Sequence, residues 1–304
     1  MSLTLEQLKG SFKENGYICS ESTALTVYLA IELKKPLLIE GLPGVGKTEM
    51  GKVLARILQT ELIRLQCYEG LDEAKALYEW NYQKQLLRIQ LNRNLEKEQI
   101  REEDLFSREY LLERPLLKAI QADERVVLLI DEVDKCDPEF EAFLFEALSD
   151  YQVSVPELGT ITAKNIPVVV LTSNSDRELS DGLKRRCLYL FLDFPTLEEE
   201  TLIIQSKVPK INAMLARDIA IIAANMRSQP NIRKKPSVAE SIDWAESLVS
   251  LHKSTLDSDL VAATLNLVLK NRNDQKLFHD SFKPEDLDKI LRKGRFNGGL
   301  KNCP

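Results

Sequence analysis

The sequence predicts an α/β domain with a parallel sheet and flanking helices, followed by a small all-helical domain. Three continuous apolar runs carry this prediction, at residues 36–39, 125–131 and 166–174. Runs of Val, Leu and Ile without polar alternation are typical of strands buried on both faces of a parallel sheet. From Thr196 onward such runs cease and helical spacing of apolar residues dominates. We therefore expect a first domain at residues 1–195 and a second at 196–304.

Local patterns predict the remaining elements of the first domain. Apolar spacing indicates helices at residues 4–15, 22–32, about 47–59 and 138–150. Two further apolar stretches predict strands at 61–67 and 187–195. The turn PELG, between two alternating arms, predicts a hairpin at 152–165. Residues 70–91 are expected to be mostly helical, and the charged stretch 92–115 is expected to be a solvated helical excursion.

Composition bounds the class of protein. The 304 residues are 44% hydrophobic and 29% charged, with a net charge of −6, which argues against a general nucleic-acid binder. No apolar run approaches the roughly 18–20 residues that span a bilayer. The N-terminus lacks a basic-then-apolar signal pattern, and five scattered cysteines suit a reducing compartment, so we expect a cytoplasmic protein. With two isolated histidines, zinc and Ser-His-Asp chemistry are disfavoured.

The stretch GLPGVGKT lies between the first predicted strand and a predicted helix and matches G-x-x-x-x-G-K-[ST]. Glycines let successive backbone N–H groups turn toward phosphate oxygens, and the following helix adds its positive N-terminal dipole. Lys47 can reach the β- and γ-phosphates, and the Thr48 hydroxyl can ligate Mg²⁺. We therefore predict a P-loop that binds a nucleoside triphosphate with Mg²⁺. The residues expected at the nucleotide are Gly41, Pro43, Gly44, Val45, Gly46, Lys47, Thr48 and Glu49.

Two adjacent carboxylates follow the strand predicted at 125–131. Asp131 comes directly at its end, where it should ligate the Mg²⁺ ion of the nucleotide together with Thr48. Glu132, one residue on, points elsewhere and is expected to orient and deprotonate the attacking water. Alone, such a pair could be a solvated strand exit. With the P-loop upstream, we predict that the pair is catalytic.

Polar residues after the strand predicted at 166–174 are further candidates. The Asn174 amide could hold water against the γ-phosphate, or it could cap a turn. Arg185 and Arg186, in LKRRC, have no obvious role in their own subunit's site. Arginines at the far edge of such a domain can reach a neighbour's γ-phosphate, although surface positions are the plainer interpretation.

The order of these features resembles that of the AAA+ ATPases and, among them, the MoxR family. Residues 67–87 and 177–195 are similar to the branch that contains the CoxD-type maturation chaperones. The resemblance implies that Gly41–Thr48 is Walker A, that Asp131 and Glu132 are Walker B, and that Asn174 is sensor 1. It also implies that the helical domain is a lid, that the hairpin is the pre-sensor insertion, and that an LKRRC arginine is the finger. Arg186 is preferred to Arg185 because it stands directly before the position of the family's usual aromatic residue.

The resemblance further implies a homo-oligomeric ring, usually a hexamer, with ATP bound between subunits. It implies a chaperone that remodels or matures a protein client, possibly a metalloenzyme, often with a partner bearing a von Willebrand factor A domain. One departure concerns the sensor 2 arginine, because the helix from Val238 offers Glu240 instead. Arg233, Lys234 or Lys235 could substitute for it.

The residues leave alternatives open. An AAA+ protein that acts on DNA, such as a helicase loader, is disfavoured by the acidic balance. A nucleotide-gated scaffold is disfavoured by Glu132, and a small-molecule kinase fits Asn174 and the arginine pair less well. The aromatic residues Tyr78, Trp80 and Tyr82 could grip a client, but packing inside the ATPase domain is the preferred interpretation.

Overall fold

The computed structural model describes residues 3–94, 105–156 and 158–298, and these form two compact units. The first unit comprises the described residues of Met1–Lys9, Glu21–Gly41 and Lys47–Phe191. The second unit comprises those of Gly10–Ser20, Leu42–Gly46 and Leu192–Pro304. Each unit is therefore built from discontinuous segments, and the division at residue 195 stays a prediction.

The strands, in chain order, are β1 Leu37–Gly41, β2 Leu62–Gln66, β3 Tyr78–Trp80, β4 Leu111–Glu113, β5 Val127–Asp131, β6 Gln152–Val155, β7 Gly159–Thr162, β8 Val168–Ser173 and β9 Leu188–Leu192. The helices are α1 Leu5–Glu14, α2 Glu21–Glu32, α3 Lys47–Ile57, α4 Glu73–Ala76, α5 Tyr82–Asn94, α6 Pro115–Gln121, α7 Pro138–Asp150, α8 Asp181–Arg186, α9 Leu197–Lys207, α10 Ala213–Ser228, α11 Val238–Ser250, α12 Ser258–Val268, α13 Arg272–Ser281 and α14 Pro284–Gly298. Short 3₁₀ turns occupy Arg108–Tyr110 and Val133–Lys135.

A five-stranded sheet in the order β2-β5-β8-β1-β9 forms the centre of the first unit. The pairs β2–β5, β5–β8 and β8–β1 are parallel, as the apolar runs predict. Every residue of β1, β5 and β8 is buried. The edge strand β2 instead alternates, with Ile63 and Leu65 in the core and Arg64 and Gln66 exposed. Because parallel strands end at one edge, the sheet brings the segments after β1, β5 and β8 together.

The expectation of a mostly helical stretch at 70–91 is wrong in part. Residues 78–80 form strand β3, which pairs antiparallel with β4 so that Trp80 lies opposite Leu111. Trp80 is buried and packs edge-on against Phe106, with ring centroids 5.2 Å apart. Aromatic residues favour a pleated, half-buried surface, and here that preference outweighs the helical spacing. Of the predicted excursion at 92–115, residues 95–104 lie outside the described residues.

The predicted hairpin is present as β6 and β7, which pair antiparallel from Gln152–Thr162 to Val155–Gly159. The second unit is helical from Leu197 onward, as expected, and Trp244 lies fully buried in its core. No helix among the described residues is both long and apolar enough to cross a membrane.

Candidate functional site

The glycine-rich loop joins the end of β1 to the start of α3. Gly44 and Gly46 adopt φ angles of 73° and 99°, which side-chain-bearing residues rarely adopt. A Cβ atom added at Gly44 would also overlap the side chain of Ser237. The chain enters α3 at Lys47, so the first helical turn, with its positive dipole end, directly follows the loop. This arrangement is the one that binds anionic phosphate groups.

Lys47 lies at the first position of α3 and is only 6% exposed. Its Nζ donates a hydrogen bond of 2.6 Å to the carbonyl oxygen of Gly41. Burial lowers the pKa of the Lys47 ammonium, and the nearby carboxylates of Asp134, Asp131 and Glu132 oppose that shift without cancelling it. A buried cation beside carboxylates at a glycine loop is suited to attract a polyphosphate.

Asp131, at the end of β5, is 2% exposed and receives hydrogen bonds on both carboxylate oxygens. Thr48 Oγ1 donates to Oδ1 over 2.9 Å, and Thr172 Oγ1 donates to the same atom over 2.5 Å. Arg64 Nη2 donates to Oδ2 over 2.5 Å. The hydroxyl of Thr48 and the carboxylate of Asp131 thus meet across 83 residues of sequence. Oxygen ligands of this kind, completed by nucleotide phosphates, are those that Mg²⁺ prefers, so the residues fit the ion.

Glu132 adopts a left-handed backbone conformation, with φ 60° and ψ 49°. Its N–H donates to Thr172 Oγ1 over 2.9 Å, so one threonine holds both acidic residues. The carboxylate belongs to a half-buried side chain, which leaves it accessible to water. The sharp turn therefore separates Glu132 from Asp131, as the sequence predicts.

Asn174 directly follows β8 and is half-buried. Its backbone N–H donates to Asp134 Oδ2 over 3.1 Å, and Asp176 N–H donates to the same oxygen over 3.0 Å. Asp134 therefore ties the segment after β8 to the turn after β5. The role of Asn174 at the nucleotide and its action on water stay a prediction.

Arg185 and Arg186 lie in the last turn of α8 and are exposed. The Arg186 guanidinium stacks over the Phe145 ring of α7, with 4.5 Å from Cζ to the ring centroid. Among the described residues, no hydrogen bond or ion pair joins either arginine to Asp131, Glu132 or Asn174. The structure of one subunit therefore does not bring these arginines into the site formed at the strand ends.

In the second unit, Glu240 caps a helix. Ser237 and Glu240 form a reciprocal capping box at the start of α11, and this explains the acidic residue where the resemblance implies an arginine. Arg233, Lys234 and Lys235 are exposed in the preceding turn. Which of these three replaces the sensor 2 arginine stays a prediction.

Three residues of the site, Arg64, Asp134 and Thr172, make contacts that the motifs of the sequence do not predict. A weak signal was present for Thr172, which is a buried polar residue that directly follows the apolar part of β8. Arg64 carries a charge within β2 and faces the same way as Gln66. Neither signal identifies a partner, because the partner lies on another strand.

The parallel sheet, the glycine loop before α3 and the carboxylates at the end of β5 define a P-loop nucleoside triphosphatase. Residues 36–187, half of the chain, match the family model described as an AAA domain of the dynein-related subfamily. The chain belongs to this family, and it is therefore an ATP-binding AAA+ ATPase. Membership implies nucleotide hydrolysis in general and the usual use of Mg²⁺.

Solved structures with a similar fold include the Holliday junction branch migration motor RuvB of Thermotoga maritima. That chain is 20% identical, and the match covers 85% of this chain and 72% of RuvB with a TM-score of 0.48. A mutant of the same protein is also 20% identical, with coverages of 90% and 72% and a TM-score of 0.48. No curated protein matches the sequence.

Proposed function

We propose that this protein hydrolyses ATP at Gly41–Thr48, Asp131 and Glu132, and that it uses the energy to remodel a protein client. The observation that carries the first part is the hydrogen bond from Thr48 to Asp131 beside the buried Lys47. It joins the phosphate-binding turn to the carboxylate that follows a neighbouring buried strand.

Each side chain of the site has a separate role in the proposed reaction. Thr48 and Asp131 would hold a magnesium ion, which neutralises charge on the phosphate oxygens. Lys47 would bind the β- and γ-phosphates through its ammonium group. Glu132 would accept a proton at its carboxylate from the attacking water, and the Asn174 amide would orient that water.

The finer proposal, a MoxR-like chaperone of the CoxD-type branch, is supported by the sequence stretches 67–87 and 177–195. We propose a homo-oligomeric ring, hexameric in its usual form, because Arg186 is exposed at the end of α8 and can be offered to a neighbouring copy. A protein client and a partner with a von Willebrand factor A domain complete the proposal.

The test of hydrolysis compares phosphate release by the wild-type protein with that of Glu132→Gln. This change keeps the side-chain shape but removes the base, so turnover should fall at least ~100-fold while ADP affinity stays near normal. Glu139→Gln is the matched control, since Glu139 is an exposed acidic residue in the first turn of α7. A Glu132→Gln rate above half that of the wild type would assign the base elsewhere.

The test of nucleotide binding uses Lys47→Ala in calorimetry with ATP and Mg²⁺. Removing the charge nearest the phosphates should abolish useful affinity, and wild-type affinity in this variant would contradict the phosphate site.

The test of the client class repeats the turnover assay with and without duplex DNA. A remodelling chaperone should show the same rate in both, whereas strong stimulation by DNA would favour the alternative of an AAA+ protein acting on nucleic acid. Mass measurement of the Glu132→Gln protein with ATP should show a ring, and a monomer would contradict the assembly.

A further inference from the structure

Arg64 is an arginine at the candidate site for which neither the P-loop nor the Asp131–Glu132 pair provides a role. It lies on β2, next to β5 in the sheet, and its guanidinium contacts the carboxylate of Asp131. We propose that Arg64 is a positioning residue that competes with Mg²⁺ for Asp131 and is displaced when the metal–nucleotide complex binds. This inference rests on the proposed role of Asp131 as a magnesium-binding residue.

Both carboxylate oxygens of Asp131 are engaged in hydrogen bonds while Arg64 is bound. Oδ1 accepts from Thr48 and Thr172, and Oδ2 accepts from Arg64 over 2.5 Å. A carboxylate that is 2% exposed requires charge compensation, because burial penalises an unpaired charge. Arg64 supplies that compensation in the nucleotide-free protein.

Arg64 and the metal ion both carry positive charge. A divalent cation held by Thr48 and Asp131 would lie close to a guanidinium that already contacts Oδ2, and like charges at such a distance repel each other. Arg64 and the metal therefore stabilise the same carboxylate but exclude one another. Occupancy of Asp131 by the metal requires that the guanidinium withdraw.

The Arg64 side chain can move away from Asp131. Its side chain is 48% exposed, whereas that of Asp131 is 3% exposed. β2 is an edge strand of the sheet, and the other hydrogen bond of the guanidinium goes to Gln66, which is neutral. When the pair opens, the guanidinium returns to water and the metal ion supplies the positive charge that the buried Asp131 carboxylate requires. The metal ion can therefore replace Arg64 as the partner of Asp131.

The experiment measures ADP binding by calorimetry at a series of Mg²⁺ concentrations. Arg64→Gln should lower the Mg²⁺ concentration for half-saturation about fivefold, which equals about 1 kcal/mol. Arg64→Lys keeps a positive charge and should stay closer to the wild type. The matched control is Arg114→Gln, because Arg114 is 45% exposed and contacts the carboxylate of Glu79 over 2.5 Å, outside the candidate site.

A second measurement uses thermal unfolding without metal or nucleotide. Arg64→Gln should lower the Tm because Asp131 loses its compensating charge, and the loss should vanish in an Asp131→Asn background. A purely structural role for Arg64 would lower the Tm without changing the Mg²⁺ requirement.

An unchanged or higher Mg²⁺ requirement in Arg64→Gln would overturn the inference, and a higher one would make Arg64 a phosphate ligand instead. Failure of the wild-type protein to bind ADP at any Mg²⁺ concentration would reject the proposed function itself. The two failures are thus distinguishable.

Discussion

The second unit holds two of its buried carboxylates, Glu200 and Asp218, with one arginine each, whereas the first unit distributes three different donors over Asp131. Glu200 is bound by both terminal nitrogens of Arg227, at 2.6 and 2.7 Å, and Asp218 is bound in the same two-point manner by Arg295. Asp131 instead receives two hydroxyl groups and one half-exposed guanidinium. Two-point pairs on a buried carboxylate are geometrically specific and fix structure, while the mixed set can exchange a partner.

This difference shows which charged side chains are fixed in the structure and which can move. In the second unit Arg227 is itself buried, also donates to the Pro236 carbonyl and stacks over the Phe194 ring. Every one of these contacts would have to break for Arg227 to move. In the first unit the charged groups that can move are Arg64, whose side chain is 48% exposed, and Arg186, which is exposed at the end of α8.

The largest effect expected from this comparison concerns Arg186. If its charge serves a neighbouring subunit, Arg186→Ala should bind ATP but turn it over ~10³–10⁵-fold more slowly. Lys47→Ala should be inactive because its own site is empty, although its Arg186 is intact. Mixed rings should therefore recover part of the activity, which an ATPase titration of one variant into the other measures once subunit exchange is established by mass.

Two outcomes would contradict a role in trans. The first is no recovery at any mixing ratio, and the second is full activity of Arg186→Ala alone, after which Arg185 becomes the residue to test. Lys184→Ala is the matched control, because Lys184 is a cation of the same helical turn.

A smaller effect should follow from breaking a fixed pair in the second unit. Arg227→Met leaves Glu200 buried without its partner and should destabilise that unit by about 3–5 kcal/mol. The double variant Arg227→Met/Glu200→Leu should recover most of that loss. Urea unfolding followed by Trp244 fluorescence measures this in a Trp80→Phe background, since the chain has two tryptophans.

The control for this measurement is Lys253→Met, which changes an exposed cation of the same unit. If the double variant were as unstable as Arg227→Met, the arginine would stabilise the unit through its other contacts rather than through its charge on Glu200.

The smallest effect should be a pH dependence in the first unit. Glu141 is buried, and burial raises its pKa, but hydrogen bonds from Ser180 and Arg177 outweigh burial and leave the pKa below its ordinary value. The stability that these bonds supply is present above the pKa of the unfolded chain, about 4.3, and is lost as the pH falls through the folded-state pKa. Glu141→Gln should cost about 1.5–3 kcal/mol at pH 7 and less at pH 3, below the pKa of the unfolded chain.

Urea unfolding at both pH values, followed by Trp80 fluorescence in a Trp244→Phe background, measures that difference. Glu146→Gln is the control, because Glu146 is exposed on the same helix. An equal cost at both pH values would show that the Glu141 carboxylate contributes by packing alone.

Much of this fold could be predicted from the sequence because its central strands are buried on both faces. Continuous apolar runs have few other structural explanations, and β1, β5 and β8 are found where those runs lie. The short strand β3 was missed because it has three residues and pairs with β4, more than thirty residues away. Local spacing carries no information about such a partner.

The candidate site likewise contains some residues that the sequence identifies and others that it does not. Lys47, Thr48 and Asp131 could be identified because a motif fixes their spacing and the strands end at one edge of the sheet. Arg64 and Asp134 could not, because their importance depends on hydrogen bonds between strands and turns. Glu240 differs from both groups. The resemblance implies an arginine at the start of α11, and the structure shows that Glu240 caps this helix instead.

The left-handed backbone of Glu132 has a consequence for any search for hardier versions of this protein. That conformation costs a residue with a side chain roughly 1–2 kcal/mol, and glycine adopts it freely. Selection for heat resistance alone would therefore tolerate or enrich glycine at this position, and the survivors would have lost the proposed base. Only a screen that also requires ATP hydrolysis would retain the glutamate. The residue found at position 132 would therefore show which of the two properties had been selected.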